Sequence, residues 1–165
     1  MNPTPTVTRM ASHDPRLGTW RDFLIAHARL IRLLDEDLRA EHDMSLAEYD
    51  ALLQLAEANG RRLRMHQLAE RVLLSRSGVT RLIDRLVADG SVERSHCSTD
   101  ARGAEAVLTD AGLDRLRRAS RTHLRGISDH FVEAIAPDDL EALARATSAI
   151  VAAIDAEAAE ECRTG

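Results

Sequence analysis

Between residues 61 and 109 the hydrophobic periodicity of this chain passes from strand to helix and back to strand, and few folds admit that succession. Arg62-Leu63-Arg64 is enough for a short strand. Leu68, Ala69 and Val72, and then Val79, Leu82, Ile83, Leu86 and Val87, recur at the spacing of two helices. Only Leu73, Leu74 and Ser75 separate them, and Ser75 is suited to cap the second helix. Asp89-Gly90 closes that helix. Val92 to Cys97 and Ala104 to Leu108 then read as two strands joined by a polar loop carrying Asp100 and Arg102. The order is helix, turn, helix, hairpin.

Long helical patterns flank this unit. Trp20, Leu24, Ile31, Leu34 and Leu38 form one face of a first helix, with His27 in the same row and Phe23 and Leu30 beside it. Ser45 and Glu48 have capping-box spacing at the start of a second helix that should stop at Asn59-Gly60. Beyond the hairpin, Thr109 is a plausible cap for a helix reaching about Phe131, with Leu113, Leu116, Leu124, Ile127 and Phe131 inward. Pro137-Asp138-Asp139 suits the first turn of a last helix whose face is Leu140, Leu143, Ala144, Thr147, Ile150, Val151 and Ile154. Few aromatics and many Leu, Ala, Arg, Glu and Asp agree with a mainly helical chain. The central unit gives the apolar stripes of the outer helices limited cover, which favours pairing with a second copy.

At 165 residues the chain can bury a substantial core. It has no apolar run near the roughly 18 residues of a membrane helix and no signal-peptide core at residues 1–16, so a cytoplasmic protein is expected. Cys97 and Cys162 are too few and too far apart for a disulfide framework or a CxxC metal site. The seven histidines make no tight HxxxH or HxH pair, so no metal and no cofactor are expected. A phosphate loop, nucleophile elbow, zinc helix or credible carboxylate pair is also missing, which argues against an enzyme.

Charge points elsewhere. The formal net charge is -5, yet residues 61–103 hold nine arginines against five acids, and no basic side chain in the protein is a lysine. A basic segment within acidic flanks suggests a local nucleic-acid face, although a solvated surface has the same composition. In the second helix of the central unit, Val79, Leu82, Ile83 and Leu86 form an inward face and leave Arg76, Ser77, Thr80, Arg81, Asp84 and Arg85 outward. Arginine can grip guanine O6 and N7 bidentately, and serine or threonine can donate to bases or phosphates. Ser75, Arg76, Ser77, Thr80, Arg81 and Arg85 are therefore candidate contacts to double-stranded DNA. An arginine at a hairpin tip can enter a neighbouring minor groove; Arg102 is that candidate, with Asp100 to hold it.

The stretch LAERVLLSRSGVTRLIDRLVADGSVER, followed by DARGAEAVLTDAG, resembles the multiple-antibiotic-resistance regulator (MarR) family of winged-helix repressors. Order and spacing match from about Trp20 to Ala158, with Asp100 and Arg102 at the wing pair and Ser75 to Arg85 on the recognition helix. Ala101 stands where many members carry a second arginine, and Leu73 occupies a turn position where glycine is common in helix-turn-helix proteins. The resemblance implies a mainly α fold with a small antiparallel β wing, in which terminal helices make a homodimer. It also implies repression at pseudo-palindromic operators, relieved by a small ligand or by oxidation. The corresponding division is an arm at 1–18, N-terminal helices for dimerisation and a ligand cleft at 19–60, and a winged DNA-binding unit at 61–109. C-terminal dimerisation helices at 110–160 and a tail at 161–165 complete it.

A regulator needs an input. Trp20, His27 and Tyr49 are polar-tipped residues on or near apolar faces and are candidates to line a pocket for an aromatic or anionic effector; as packed core groups they would need no ligand. Cys97, beside His96 and Arg94 in sequence, is a candidate redox thiol, the plainer alternative being an inert strand cysteine. A winged-helix module that binds protein rather than DNA is the competing functional class, and the arginine-lined face favours DNA.

Overall fold

The computed structural model describes residues 15–72, 76–96 and 104–164. The elements run α1 (Pro15–His42), α2 (Leu46–Glu57), a 3-10 turn (Asn59–Arg61), β1 (Arg62–Arg64), α3 (Met65–Arg71) and α4 (Arg76–Ala88). They continue with β2 (Val92–His96), β3 (Ala104–Leu108), α5 (Asp110–Ile127), a wide turn (Ser128–Val132) and α6 (Pro137–Thr164). The chain divides into two compact units, the first ending at Leu124 and the second starting at Arg125. Among the described residues no helix is long and apolar enough to cross a membrane.

In the first unit, α2 starts where its sequence says it should. Ser45 is in extended conformation and its Oγ accepts from Glu48 N at 3.2 Å, while Glu48 Oε2 accepts from Ser45 N at 2.8 Å. A third donor at this helix start, Leu46 N, is satisfied by Asp35 Oδ1 of α1 at 2.8 Å, which fixes the corner between the two helices. The far end of α2 differs slightly from expectation. The helix stops at Glu57, and Gly60 supplies its left-handed geometry (φ +64°) in the 3-10 turn that follows.

The sheet has the order β1-β3-β2 and is antiparallel throughout, with Leu63 opposite Ala106 and Val92 opposite Leu108. The short strand before the helices thus closes on the hairpin and makes it three-stranded. Beneath the sheet, Leu52 and Leu55 of α2, Leu68 and Ala69 of α3, Leu82, Ile83 and Leu86 of α4 and Leu116 and Ala119 of α5 form one core. Val87, counted with the apolar row of α4, is exposed.

The joint between hairpin and α5 explains the Thr109-Asp-Ala-Gly112 spacing. Thr109 Oγ1 accepts from Gly112 N at 2.9 Å and donates towards Gly90 O at 2.7 Å, and Thr109 N donates to Ser91 O at 3.1 Å. The first turn of α5 is thereby pressed on the turn that ends α4. A Cβ at residue 112 would lie 2.1 Å from Ser91 O, a contact that only a backbone shift could relieve. Farther along α5 the buried side chains include Leu116, Ala119 and Thr122, whereas Leu124, expected inward, is exposed. At 3.6 residues per turn it stands about 80° around the helix from Leu116. Buried Thr122 ties α5 to the end of α1, donating to Glu41 Oε2 at 2.7 Å and meeting His42 Nε2 at 2.8 Å.

The outer helices are longer than their apolar patterns suggested: α1 begins at Pro15, not near residue 19, and α6 runs to Thr164. On α1 the expected stripe is half covered. Leu34 and Leu38 are buried, but Trp20 (57% exposed), Phe23, Leu24 and Ile31 face solvent. In the second unit, α5 gives way at Ile127 to the wide turn, in which Glu133 N donates to Ser128 O at 2.9 Å, five residues back. There α6 leaves Ile150, Val151 and Ile154 exposed.

Gly112→Ala should destabilise the protein by about 3 kcal/mol through this overpacking. Urea unfolding monitored by circular dichroism would measure it, and a change below the error of the measurement would contradict the packing of α5 on Ser91.

Candidate nucleic-acid interface

Helix α4 separates its residues as a reading helix must. Val79, Leu82, Ile83 and Leu86 are buried, and Ser77, Thr80, Arg81, Asp84 and Arg85 are exposed. Burial of that seam fixes the helix axially, so the opposite face is presented to whatever approaches. Arg81 is exposed and forms no ion pair among the described residues. Arg71, at the end of α3, is likewise exposed and unpaired within that set. Ser75, Cys97, Asp100 and Arg102 lie outside the described residues, as does the side chain of Arg76.

Arg85 differs from expectation. Its Nε donates to Glu48 Oε1 at 2.9 Å, and Glu48 is only 13% exposed while Arg85 is 59% exposed. A shielded carboxylate already fixed in a capping box is a strong place for a guanidinium to rest, so Arg85 ties α4 to α2 before it offers anything to a phosphate. Burial alone would raise the Glu48 pKa, but the Ser45 N–H and the Arg85 guanidinium outweigh it and hold the carboxyl below its ordinary value. Asp84, the neighbour of Arg85, pairs in the other direction, with Arg94 Nη2 of β2 at 2.8 Å from its Oδ1.

Other arginines of the basic segment are also engaged. Arg61 pairs with Asp110 at 3.0 Å, and Arg62 lies 3.9 Å from Glu105. The positive segment is therefore less available to a polyanion than its charge count implies.

Of the pocket candidates, Tyr49 is buried. Its OH donates to Ser120 Oγ at 3.3 Å, and its ring lies 4.4 Å from that of His123. Sequence reading missed His123, although it falls seven residues after Leu116 and four after Ala119 on the buried row of α5. Its Nδ1 is buried with no hydrogen-bond partner, and burial pushes the imidazole pKa down against a weaker pull from Asp50. Burial in turn raises the Asp50 carboxyl. Trp20 and His27 stand on the exposed half of α1, where each stacks with Phe23 at centroid distances of 6.2 and 6.4 Å. Their ring partner is Phe23, not Tyr49.

A helix pair whose second member shows a polar face, followed by a three-stranded hairpin sheet, defines the winged helix-turn-helix class. Within that class the MarR family profile matches residues 42–103. Sco3205 of Streptomyces coelicolor, a MarR family transcriptional regulator solved in complex with DNA, is 31% identical. Its structure superposes with a TM-score of 0.77 over 82% of this chain and 88% of that one. AbsC of the same organism, also a MarR family transcriptional regulator, is 30% identical with a TM-score of 0.77, covering 93% of this chain and 99% of that one. The HTH-type transcriptional repressor YetL of Bacillus subtilis is 33% identical over 89 residues, 54% of this chain and 53% of YetL. The chain thus spans about half the length of that curated relative. This protein belongs to the MarR family.

Because the Glu48 pKa is depressed on folding, its carboxylate adds stability above the ordinary value of 4.5, and that stability is lost as pH falls through the folded value. Glu48→Gln keeps an oxygen to accept from Ser45 N but removes the charge that faces Arg85, and should cost about 1 kcal/mol at neutral pH, the size of a partly exposed ion pair. Urea midpoints measured across pH should converge for the two proteins in acid; a constant difference would remove Glu48 as an ionised anchor.

Proposed function

We propose that this protein is a homodimeric transcriptional regulator that binds double-stranded DNA operators, acts as a repressor and is released by a small ligand or an oxidant. The observation that carries the reading is the division of α4, whose apolar seam is buried while Ser77, Thr80 and Arg81 are presented outward. A relative of the same fold solved with DNA supports placing this face in a major groove. In this reading Arg81 reads a base edge and Ser75, Arg76, Ser77 and Thr80 contact bases or phosphates. Arg102, supported by Asp100, enters the adjacent minor groove.

Pairing through the terminal helices is supported by the exposed apolar residues of α1 and of α6. An operator-bound dimer would present two reading helices to half-sites one helical turn apart. An aromatic or anionic effector is proposed to act near Tyr49, where the unpartnered Nδ1 of His123 offers a buried polar atom to a ligand. Trp20 and His27 then belong to the dimer surface, and Cys97 is the proposed site of any response to oxidant.

With Arg85 held by Glu48, about three arginines per subunit remain for phosphates, about six per dimer. Affinity for duplex should then fall about 10³-fold between roughly 50 and 200 mM salt. Fluorescence anisotropy over a salt series checks this, and a flat response would sink the DNA reading. Arg81→Ala should weaken binding by about 1–3 kcal/mol and relax base preference at one position of each half-site. A loss uniform across sequences would make Arg81 a phosphate contact instead. Sedimentation at micromolar concentration should find a dimer, and a monomer there would remove the pairing.

A further inference from the structure

We propose that Arg94 and Asp84 are a positioning pair that holds the wing at a fixed angle to the recognition helix, and that neither residue touches DNA. The proposal rests on the DNA-binding reading above. Its geometric basis is the alternation of β2. Val92 is buried and faces the core, so Arg94, two residues on, leaves the strand on the same side and is directed at α4. Opposite Arg94 in the sheet is Ala106, fully buried and small, which leaves room for the long side chain to cross. Arg94 Nη2 meets Asp84 Oδ1 at 2.8 Å and approaches the Thr80 carbonyl oxygen at 3.5 Å, so the guanidinium spans one turn of the helix. Strand β2 leads into residues 97–103, which carry Asp100 and Arg102. The orientation of β2 on α4 therefore sets the direction in which the wing leaves the domain.

The pair is poorly placed to stabilise the fold. Asp84 is 56% exposed and Arg94 37% exposed, and pairs this wet contribute little to folding. It is well placed to act on DNA binding through geometry. A carboxylate on the presented face of α4 is, by charge alone, unfavourable to a polyanion. Removing Asp84 would then tighten DNA binding if the residue were a mere surface charge and weaken it if the residue holds Arg94. The two readings differ in sign.

The test uses the full-length protein and a duplex recovered from a random-sequence pool by selection on the wild type. Asp84→Asn and Arg94→Ala should each lower affinity about tenfold, and the double variant should be no worse than either single one. The salt slope should stay at the wild-type value, because no phosphate contact is lost, and Arg94→Lys should recover part of the affinity. Tighter or unchanged binding by Asp84→Asn overturns the proposal, and so does a slope that falls by about one per subunit in Arg94→Ala, which would make Arg94 a phosphate contact. Hydrogen exchange of the DNA-free protein judges the pair separately. Peptides covering 92–96 and 104–108 should exchange about fivefold faster in both variants with the thermal midpoint nearly unmoved. Wild-type exchange rates in the variants would refute the clamp even if DNA binds, whereas failure of the wild type to bind any duplex would refute the DNA reading and leave the exchange result to decide the clamp.

Discussion

The apolar seam of α4 is the constraint on which the rest of the structure depends. Val79, Leu82, Ile83 and Leu86 are each removed from water, and a helix anchored along one side has no rotational freedom left. Burying such side chains contributes about 1.5–3 kcal/mol apiece, far more than any surface contact on the opposite face. Hydrophobic burial therefore chooses which residues of α4 are displayed. Polar chemistry then works only within that choice.

Within it, the ion pairs divide the displayed face into two parts. Toward the C-terminal end, Asp84 and Arg85 are adjacent and oppositely charged, and each reaches away from the helix to a different neighbour: Arg94 on β2 and Glu48 on α2. Nearer the N-terminal end, Ser77, Thr80 and Arg81 stay exposed. Residues that tie α4 to its neighbours are thus segregated from those at its exposed N-terminal half. Arg115 plays an orienting part for α5, pairing with Asp89 and donating to Asp43 O at 2.7 Å, so one side chain joins α5 to the corner after α1 and to the turn after α4.

Much of this architecture was legible in the residues. The capping box at Ser45 and Glu48, the inward row of α4, the hairpin and the proline-led start of α6 all obey local rules, in which a few neighbouring residues decide the outcome. The partner of Arg85 was not legible, because Glu48 lies 37 residues away and becomes its neighbour only when α2 packs on α4. His123 was missed for the opposite reason: a polar residue on an apolar row was passed over, though its row marked it as half-buried. Leu124 misled because apolarity alone was taken for direction, while the buried line of α5 follows small residues such as Gly112 and Ala119 that bring the helix close to its neighbours. Arg94 was within reach, since strand alternation puts it on the side of Val92.

The same contacts suggest how a distant event could reach the reading helix. Asp35 sits on α1 between the buried Leu34 and Leu38, and it accepts from Arg39 Nε at 2.6 Å and from Leu46 N at 2.8 Å. Two residues after Leu46 comes Glu48, whose other oxygen holds Arg85 of α4. A displacement of α1 would therefore be felt at the first turn of α2 and, through one carboxylate, at the recognition helix. In the proposed dimer a second copy covers the exposed half of α1 and so sets the spacing of the two α4 helices, and the proposed effector near Tyr49 on α2 would act midway along the path. Such a ligand can shift the spacing by no more than its difference in affinity between the two arrangements, and about 1–3 kcal/mol of difference changes DNA affinity 5- to 150-fold.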